Sequence, residues 1–164
     1  MTEFEKFKAI VERLRAEDGC PWDRRQTHES LKPEIIEEAC EAVCGINILT
    51  ETGNSDNLKE ELGDLLLQVV IQAQIASEEG LFTMDDVIAA VSEKMIRRHP
   101  HVFGDEKVDS AEEEHARWEE IKKLENKDKT LENQYLPAAF EEGITLVEQA
   151  QKRKGYNTSR NMTV

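Results

Sequence analysis

Aromatic residues are scarce in this chain, making up only 5% of its 164 residues. Sandwiches and barrels depend on aromatic and β-branched residues in alternating runs. No strand pattern or internal repeat stands out here, and charged residues reach 34%, which favours a helical protein. Cysteine is sparse too. Cys20, Cys40 and Cys44 are an odd number with no C-x-x-C pair, which weighs against metal ligation or redox chemistry. Free cysteine tends to be buried, so Cys40 and Cys44, one helical turn apart, are expected to pack in the interior. Basic charge is in deficit, with 21 Lys and Arg against 35 Asp and Glu and a formal net charge of −14. That balance excludes nucleic-acid binding through a general basic surface. A polyanionic small substrate would instead need a metal and a local basic patch. The start, Met1 to Lys8, has no apolar core of a signal peptide, and no run approaches a membrane span. The expectation is a cytoplasmic, reduced protein without membrane or nucleic-acid partners. Asn157-Thr-Ser and Asn161-Met-Thr match the glycosylation sequon, which carries little meaning without a signal peptide.

Hydrophobic residues reach 38% and are spread along the chain, enough for one domain, or one domain with an appendage. Phe4, Phe7, Ile10, Val11 and Leu14 recur at helical spacing over residues 2–16, and Gly19 and Pro21 then break the pattern. A second helix is expected from Pro33, or from Thr27, to about Leu49, followed by a turn around Gly53. The third, about residues 56–79, is apolar nearly all round apart from Gln68, Gln72 and Gln74. Such a helix must be buried on most sides, and a subunit interface is one way to supply the burial. A fourth helix starts near Thr83 and stops at His99-Pro100. Residues 101–110 read as a loop, 111–124 as a charged helix, 122–133 as a polar linker and 136–154 as a last helix. The final ten residues are expected to fray. The fold class is all-α.

Two acidic clusters stand out: Glu37-Glu38-x-x-Glu41 and, after nineteen intervening residues, Glu61-x-x-Asp64. Residues three apart share a helix face, so Glu38 projects with Glu41 and Glu61 with Asp64. Antiparallel packing of the two helices would bring four carboxylates into one small volume. Their repulsion calls for a cation, and hard oxygen ligands suit magnesium, with manganese as a substitute. Lys94, Arg97 and Arg98 form a basic group at a helix end. They fit either phosphate binding or pairing with the helix dipole. Trp22 and Trp118 are candidates to stack on a base or to fill a core or interface. Asp23 suits either a hydrogen bond near a metal or a helix cap. His99 and His101 flank a proline and fit helix termination better than a metal pair. Glu112-x-x-His115 is half of a di-iron pattern whose other half is missing.

The order of these blocks resembles the MazG-type nucleoside triphosphate pyrophosphohydrolases. The matching residues are Gly19-Cys-Pro-Trp-Asp23 with Gln26-Thr27, Glu37-Glu-Ala-Cys-Glu41, Glu60-Glu-Leu-Gly-Asp64-Leu-Leu, Lys94-Met-Ile-Arg-Arg-His-Pro-His-Val-Phe103 and Trp118-Glu-Glu-Ile-Lys122. The resemblance covers residues 1–125 and leaves 126–164 as a polar linker and C-terminal helical extension, with no second such domain expected. It implies a four-helix core that assembles with partner subunits as a dimer or tetramer. It also implies hydrolysis of NTPs or dNTPs to monophosphate and pyrophosphate, clearing non-standard or excess nucleotides. Magnesium ligands fall on Glu38, Glu41, Glu61 and Asp64. Lys94, Arg97, Arg98 and Lys122 are expected at the phosphates, with Trp118 and Trp22 contacting substrate. Glu37 and Glu38 are the catalytic candidates, Glu37 as proton acceptor or as a hydrogen-bond partner of a ligand. A narrower substrate, dUTP or phosphoribosyl-ATP, and a catalytically idle assembly or regulatory protein are the alternatives.

Overall fold

A computed structural model of the chain describes residues 1–105, 110–127 and 129–156. Seven α-helices appear among the described residues, with no strand: α1 (Glu3–Arg15), α2 (Lys32–Thr52), α3 (Asp56–Glu78), α4 (Met84–Arg98), α5 (Pro100–Phe103), α6 (Ala111–Asn126) and α7 (Thr130–Arg153). The all-α expectation holds. None of these helices is long and apolar enough to cross a membrane. The chain divides into two compact units, residues 1–83 with 141–164, and residues 84–140. The sequon asparagines Asn157 and Asn161 lie outside the described residues.

In the first unit, α1 opens on a capping box, in which Thr2 Oγ1 accepts from the Glu5 amide and the Glu5 carboxylate accepts from the Thr2 amide. Val11 of α1 is fully buried, and Val70, Ile71, Ala73, Ile75 and Ala76 of α3 are buried. The α2–α3 pair forms the main packing of this unit. Gly53 ends α2 with φ 75°, a left-handed cap that suits glycine, and Asn54 Oδ1 accepts from the Asp56 amide at 2.8 Å to open α3. Gly45 marks the closest approach of the two helices, where an added Cβ would stand 2.7 Å from Leu58 Cα. Antiparallel register from that contact sets Glu41 level with Glu61, and Glu38 level with Asp64, one helical turn further on.

Arg15, whose side chain is 6% exposed, ties three segments of this unit together. It donates to the backbone carbonyls of Asp23 and Gln26 at 2.6 and 3.2 Å, and to the Glu78 carboxylate at 2.6 Å. Those hydrogen bonds hold Glu78 below the usual carboxylate range, against the opposing effect of burial. The end of α7 belongs to the same unit, with Ala150 buried and Lys32 Nζ 3.1 Å from Glu142.

Four expectations need correction. The stretch 101–110 is not loop throughout, because Pro100, preset for a first helical position, starts the short α5. The polar stretch 122–133 is mostly helical, since α6 runs to Asn126 and α7 starts at Thr130 and passes through Pro137. The third helix is not buried on most sides of the single chain: Leu62 and Val69 are 51% and 41% exposed, while Gln68 is buried. The packed face of α3 thus includes a polar residue and leaves several apolar ones outside it. Cys40 and Cys44 are exposed rather than interior, because they lie on the side of α2 that borders a cavity instead of the α3 contact.

In the second unit, α4 packs on α5 and α6. Ser110 caps α6, its Oγ accepting from the Glu113 amide.

Candidate metal centre and its surroundings

Glu38 from α2 with Glu61 and Asp64 from α3 place carboxylate oxygens within 4.8 Å of one another. All three are half-buried. The i, i+3 spacing on α3 and the antiparallel register together create this convergence. Burial, followed by the charges of Glu41, Asp64, Glu61 and Glu34, pushes the Glu38 carboxyl up to about 7. Burial also raises Glu61, opposed by a hydrogen bond from Asn57 Nδ2 to its Oε1 at 2.8 Å. Glu38 Oε2 is buried and has no hydrogen-bond partner among the described residues. An orphaned carboxylate oxygen beside two more carboxylates fits a hard divalent cation.

Glu41, the fourth predicted ligand, is engaged differently. Its Oε1 accepts from Lys154 Nζ. Glu37 accepts from Arg153, and Lys154 stands 3.0 Å from Glu37 Oε1. Burial raises the Glu37 carboxyl, but the hydrogen bonds from Lys154 and Arg153 together bring it below its ordinary value. A depressed value makes Glu37 a weak proton acceptor while that pairing lasts.

Two cavities lie in the same unit as the carboxylates. One, of about 620 Å³, is bounded by Trp22, Asp23, Gln26, Glu34, Leu67 and Gln68. Trp22 is 71% exposed and Gln68, 8% exposed, has a side-chain oxygen without a partner among the described residues. Asp23 opens a short 3-10 turn, Asp23–Arg25. The other cavity, of about 490 Å³, lies among α2, α3 and the end of α7, with Cys40, Cys44, Asn57 and Tyr156 in its wall. Both volumes are in the range of small-molecule sites.

The predicted basic residues gather in the second unit. Arg98 is buried and donates to Glu125 at 2.6 Å, and Arg97 reaches the same carboxylate at 2.7 Å. Hydrogen bonds from Arg98, then Arg97, draw Glu125 down to about 2. Trp118 receives Lys122 Nζ 4.5 Å and the Arg98 guanidinium 5.5 Å from its ring centroid. Lys94, half-buried, sits one turn before Arg98. His115 stacks on Trp118, and His99 Nδ1 donates to the Met95 carbonyl at 2.7 Å, closing α4.

The structure therefore brings together Glu38, Glu61 and Asp64, and separately Arg97, Arg98, Trp118 and Lys122. Sequence reasoning missed Asn57, Gln68, Arg153 and Lys154. Asn57 was accessible, being one helical turn before Glu61. Arg153 and Lys154 meet their partners over more than a hundred residues, and no local pattern signals that.

Comparison with known proteins gives a consistent result. Residues 26–103 match the MazG nucleotide pyrophosphohydrolase domain. The chain is 54% identical over 122 residues to the nucleoside triphosphate pyrophosphohydrolase/pyrophosphatase MazG of Thermotoga maritima, covering 74% of this chain and 45% of that protein. It is 45% identical over 130 residues to the nucleoside triphosphate pyrophosphohydrolase of Escherichia coli K12, covering 79% and 48%. The uncharacterized protein YabN of Bacillus subtilis is 52% identical over 123 residues, covering 75% and 24%. The chain spans less than half the length of each of these relatives.

Proposed function

We infer, from the match of residues 26–103 to the MazG nucleotide pyrophosphohydrolase domain, that the chain hydrolyses nucleoside triphosphates, NTP or dNTP, to monophosphate and pyrophosphate. The observation that carries this reading is the Glu38–Glu61–Asp64 convergence inside the matched segment. Glu38, Glu41, Glu61 and Asp64 are assigned as magnesium ligands, with manganese able to substitute. A divalent ion so held supplies charge neutralisation for the triphosphate and acidifies a bound water. The carboxylates' task is to hold that charge in place and to take up a proton. Glu38 and Glu37 are the catalytic candidates; the raised value of Glu38 belongs to the metal-free cluster, and Glu37 would accept a proton only after release from Arg153 and Lys154.

Lys94, Arg97, Arg98 and Lys122 are assigned to the phosphates and Trp118 to substrate contact. The support is the family resemblance of residues 94–103 and 118–122 and the concentration of donors around Trp118. Trp22, exposed at the 620 Å³ cavity, suits stacking on the base. Residues 1–125 are the catalytic domain in this reading and 126–164 an extension. Assembly with a second copy, in a dimer or tetramer, would cover Leu62, Leu66 and Val69 of α3 and Val43 and Ile46 of α2, all exposed apolar residues. House-cleaning of non-standard or excess nucleotides in the cytoplasm is the corresponding role.

Ion-exchange product analysis on a panel of NTPs and dNTPs, with and without magnesium, tests the reading. Magnesium-dependent monophosphate and pyrophosphate are expected. Diphosphate and orthophosphate would move the attack to the γ phosphorus and overturn it.

A further inference from the structure

Of the four carboxylates assigned to the metal, three converge, and the fourth is held by a cation from the far end of the chain. Lys154 follows the last turn of α7, and its position is fixed by more than one contact. Its amide donates to the Ala150 carbonyl at 3.0 Å, Ala150 is buried, and the Tyr156 amide donates to the Gln151 carbonyl at 2.9 Å past Gly155. Earlier in α7, Glu142 pairs with Lys32. The ammonium group of Lys154 is therefore delivered to Glu41 and Glu37 by a docked helix end. The 490 Å³ cavity, bounded by Glu41, Asn57, Glu61 and Lys154 among others, lies beside this contact and gives the lysine room to withdraw.

An ammonium and a divalent cation place the same demand on a carboxylate oxygen. Both seek its lone pairs at short range, and their charges repel if they share it. We propose that Lys154 is a positioning residue of the metal centre: it holds Glu41 away from the Glu38–Glu61–Asp64 group, so that binding of a divalent cation by all four carboxylates and docking of residues 141–156 oppose one another. This rests on the metal assignment made above. Opposition between two binding events is reciprocal: weakening the docked contact tightens the metal, and adding the metal loosens the docked segment.

The test is Mn²⁺ binding to the 164-residue chain, read by the electron paramagnetic resonance of the free ion, for the unsubstituted chain, K154Q, K154R and E38Q. Loss of the Lys154 charge in K154Q is expected to tighten Mn²⁺ about tenfold, within the range usual for coupled sites, and K154R to bind within about twofold of the unsubstituted chain. Hydrogen exchange over residues 141–156 should speed up on adding Mn²⁺. A merely structural lysine would leave Mn²⁺ affinity unchanged or weaker in K154Q, and either result overturns the proposal. If the unsubstituted chain binds Mn²⁺ and E38Q does not, the metal assignment stands whatever K154Q does. No Mn²⁺ binding by any of the four chains would overturn both.

Discussion

Two carboxyl groups of the same chemical type sit in opposite electrostatic surroundings in this protein. Glu38, on α2, is partly buried among Glu41, Asp64, Glu61 and Glu34 and is pushed up to about 7. Glu125, on α6, accepts from Arg98 and Arg97 and is drawn down to about 2. Around Glu125 two guanidinium groups share one carboxylate, and the Arg98 guanidinium also rests on Trp118. The carboxylate there is matched, and the second guanidinium leaves positive charge in excess, in keeping with the assignment of Arg97 and Arg98 to the phosphates. Around Glu38 the negative charges are in excess and one oxygen has no partner among the described residues. A folded chain keeps such crowding only against the tendency of like charges to separate. The proposed divalent cation would relieve that imbalance.

Substitutions can break this contrast from either side. The largest effect is expected at the crowded pole: E38Q or D64N should lower turnover about a thousandfold or more, some 4 kcal/mol of transition-state stabilisation, while circular dichroism stays helical. Near-normal product formation in both variants would remove the carboxylate cluster from the reaction. At the matched pole, E125Q leaves the buried Arg98 without its anion. Unfolding by urea should show a loss of about 3 kcal/mol, the usual cost of breaking a buried pair from one side. The stability that Glu125 contributes is fully present above its unfolded value near 4.5 and is lost as pH falls toward 2.

A third substitution tests what holds the crowded pole together. G45A would press a methyl group against Leu58 Cα, and about 2 kcal/mol of destabilisation is expected from the overpacking, measured by the urea midpoint. The smallest effect is the pH response of the metal-free chain. Glu38 keeps its proton to about 7 when folded but releases it near 4.5 when unfolded. Its contribution to stability is therefore complete below about 4.5 and disappears as pH rises through about 7. Tm in a chelator should fall by roughly 2–4 °C between pH 5 and 8, the shift expected for about 1 kcal/mol in a chain of this size once the full linkage effect is discounted for solvent screening at a half-buried group. E38Q should flatten that response.

Much of the site was legible because it is local or periodic. Glu38, Glu61 and Asp64 follow from three-residue spacing on two helices, and antiparallel packing needs only a short turn, which Gly53 and Asn54 provide. The longer helices followed from apolar periodicity with bounds off by several residues, while the short α5 did not. The misread parts depend on tertiary context. Cys40 and Cys44 are apolar enough for a core, but their side of α2 borders a cavity. The apolar girdle of α3 suggests complete burial, yet a single chain covers only part of it. The stretch after Lys122 is polar in composition, and composition does not distinguish a linker from an exposed helix. The pairing of Glu37 and Glu41 with Arg153 and Lys154 joins the two ends of the fold and has no signature in either segment alone.

The contact of Gly45 with Leu58 has a mechanical consequence. Glu38 lies seven residues from Gly45, about 10 Å along the helix axis, and Asp64 lies at a matching distance from Leu58 on the opposing helix. The glycine contact is thus the fulcrum of a pair of shears whose blades carry the carboxylates. A rotation of a few degrees about the pivot moves each tip by roughly half an ångström at that distance. A side chain without chemistry of its own sets the aperture within which the acidic groups must meet.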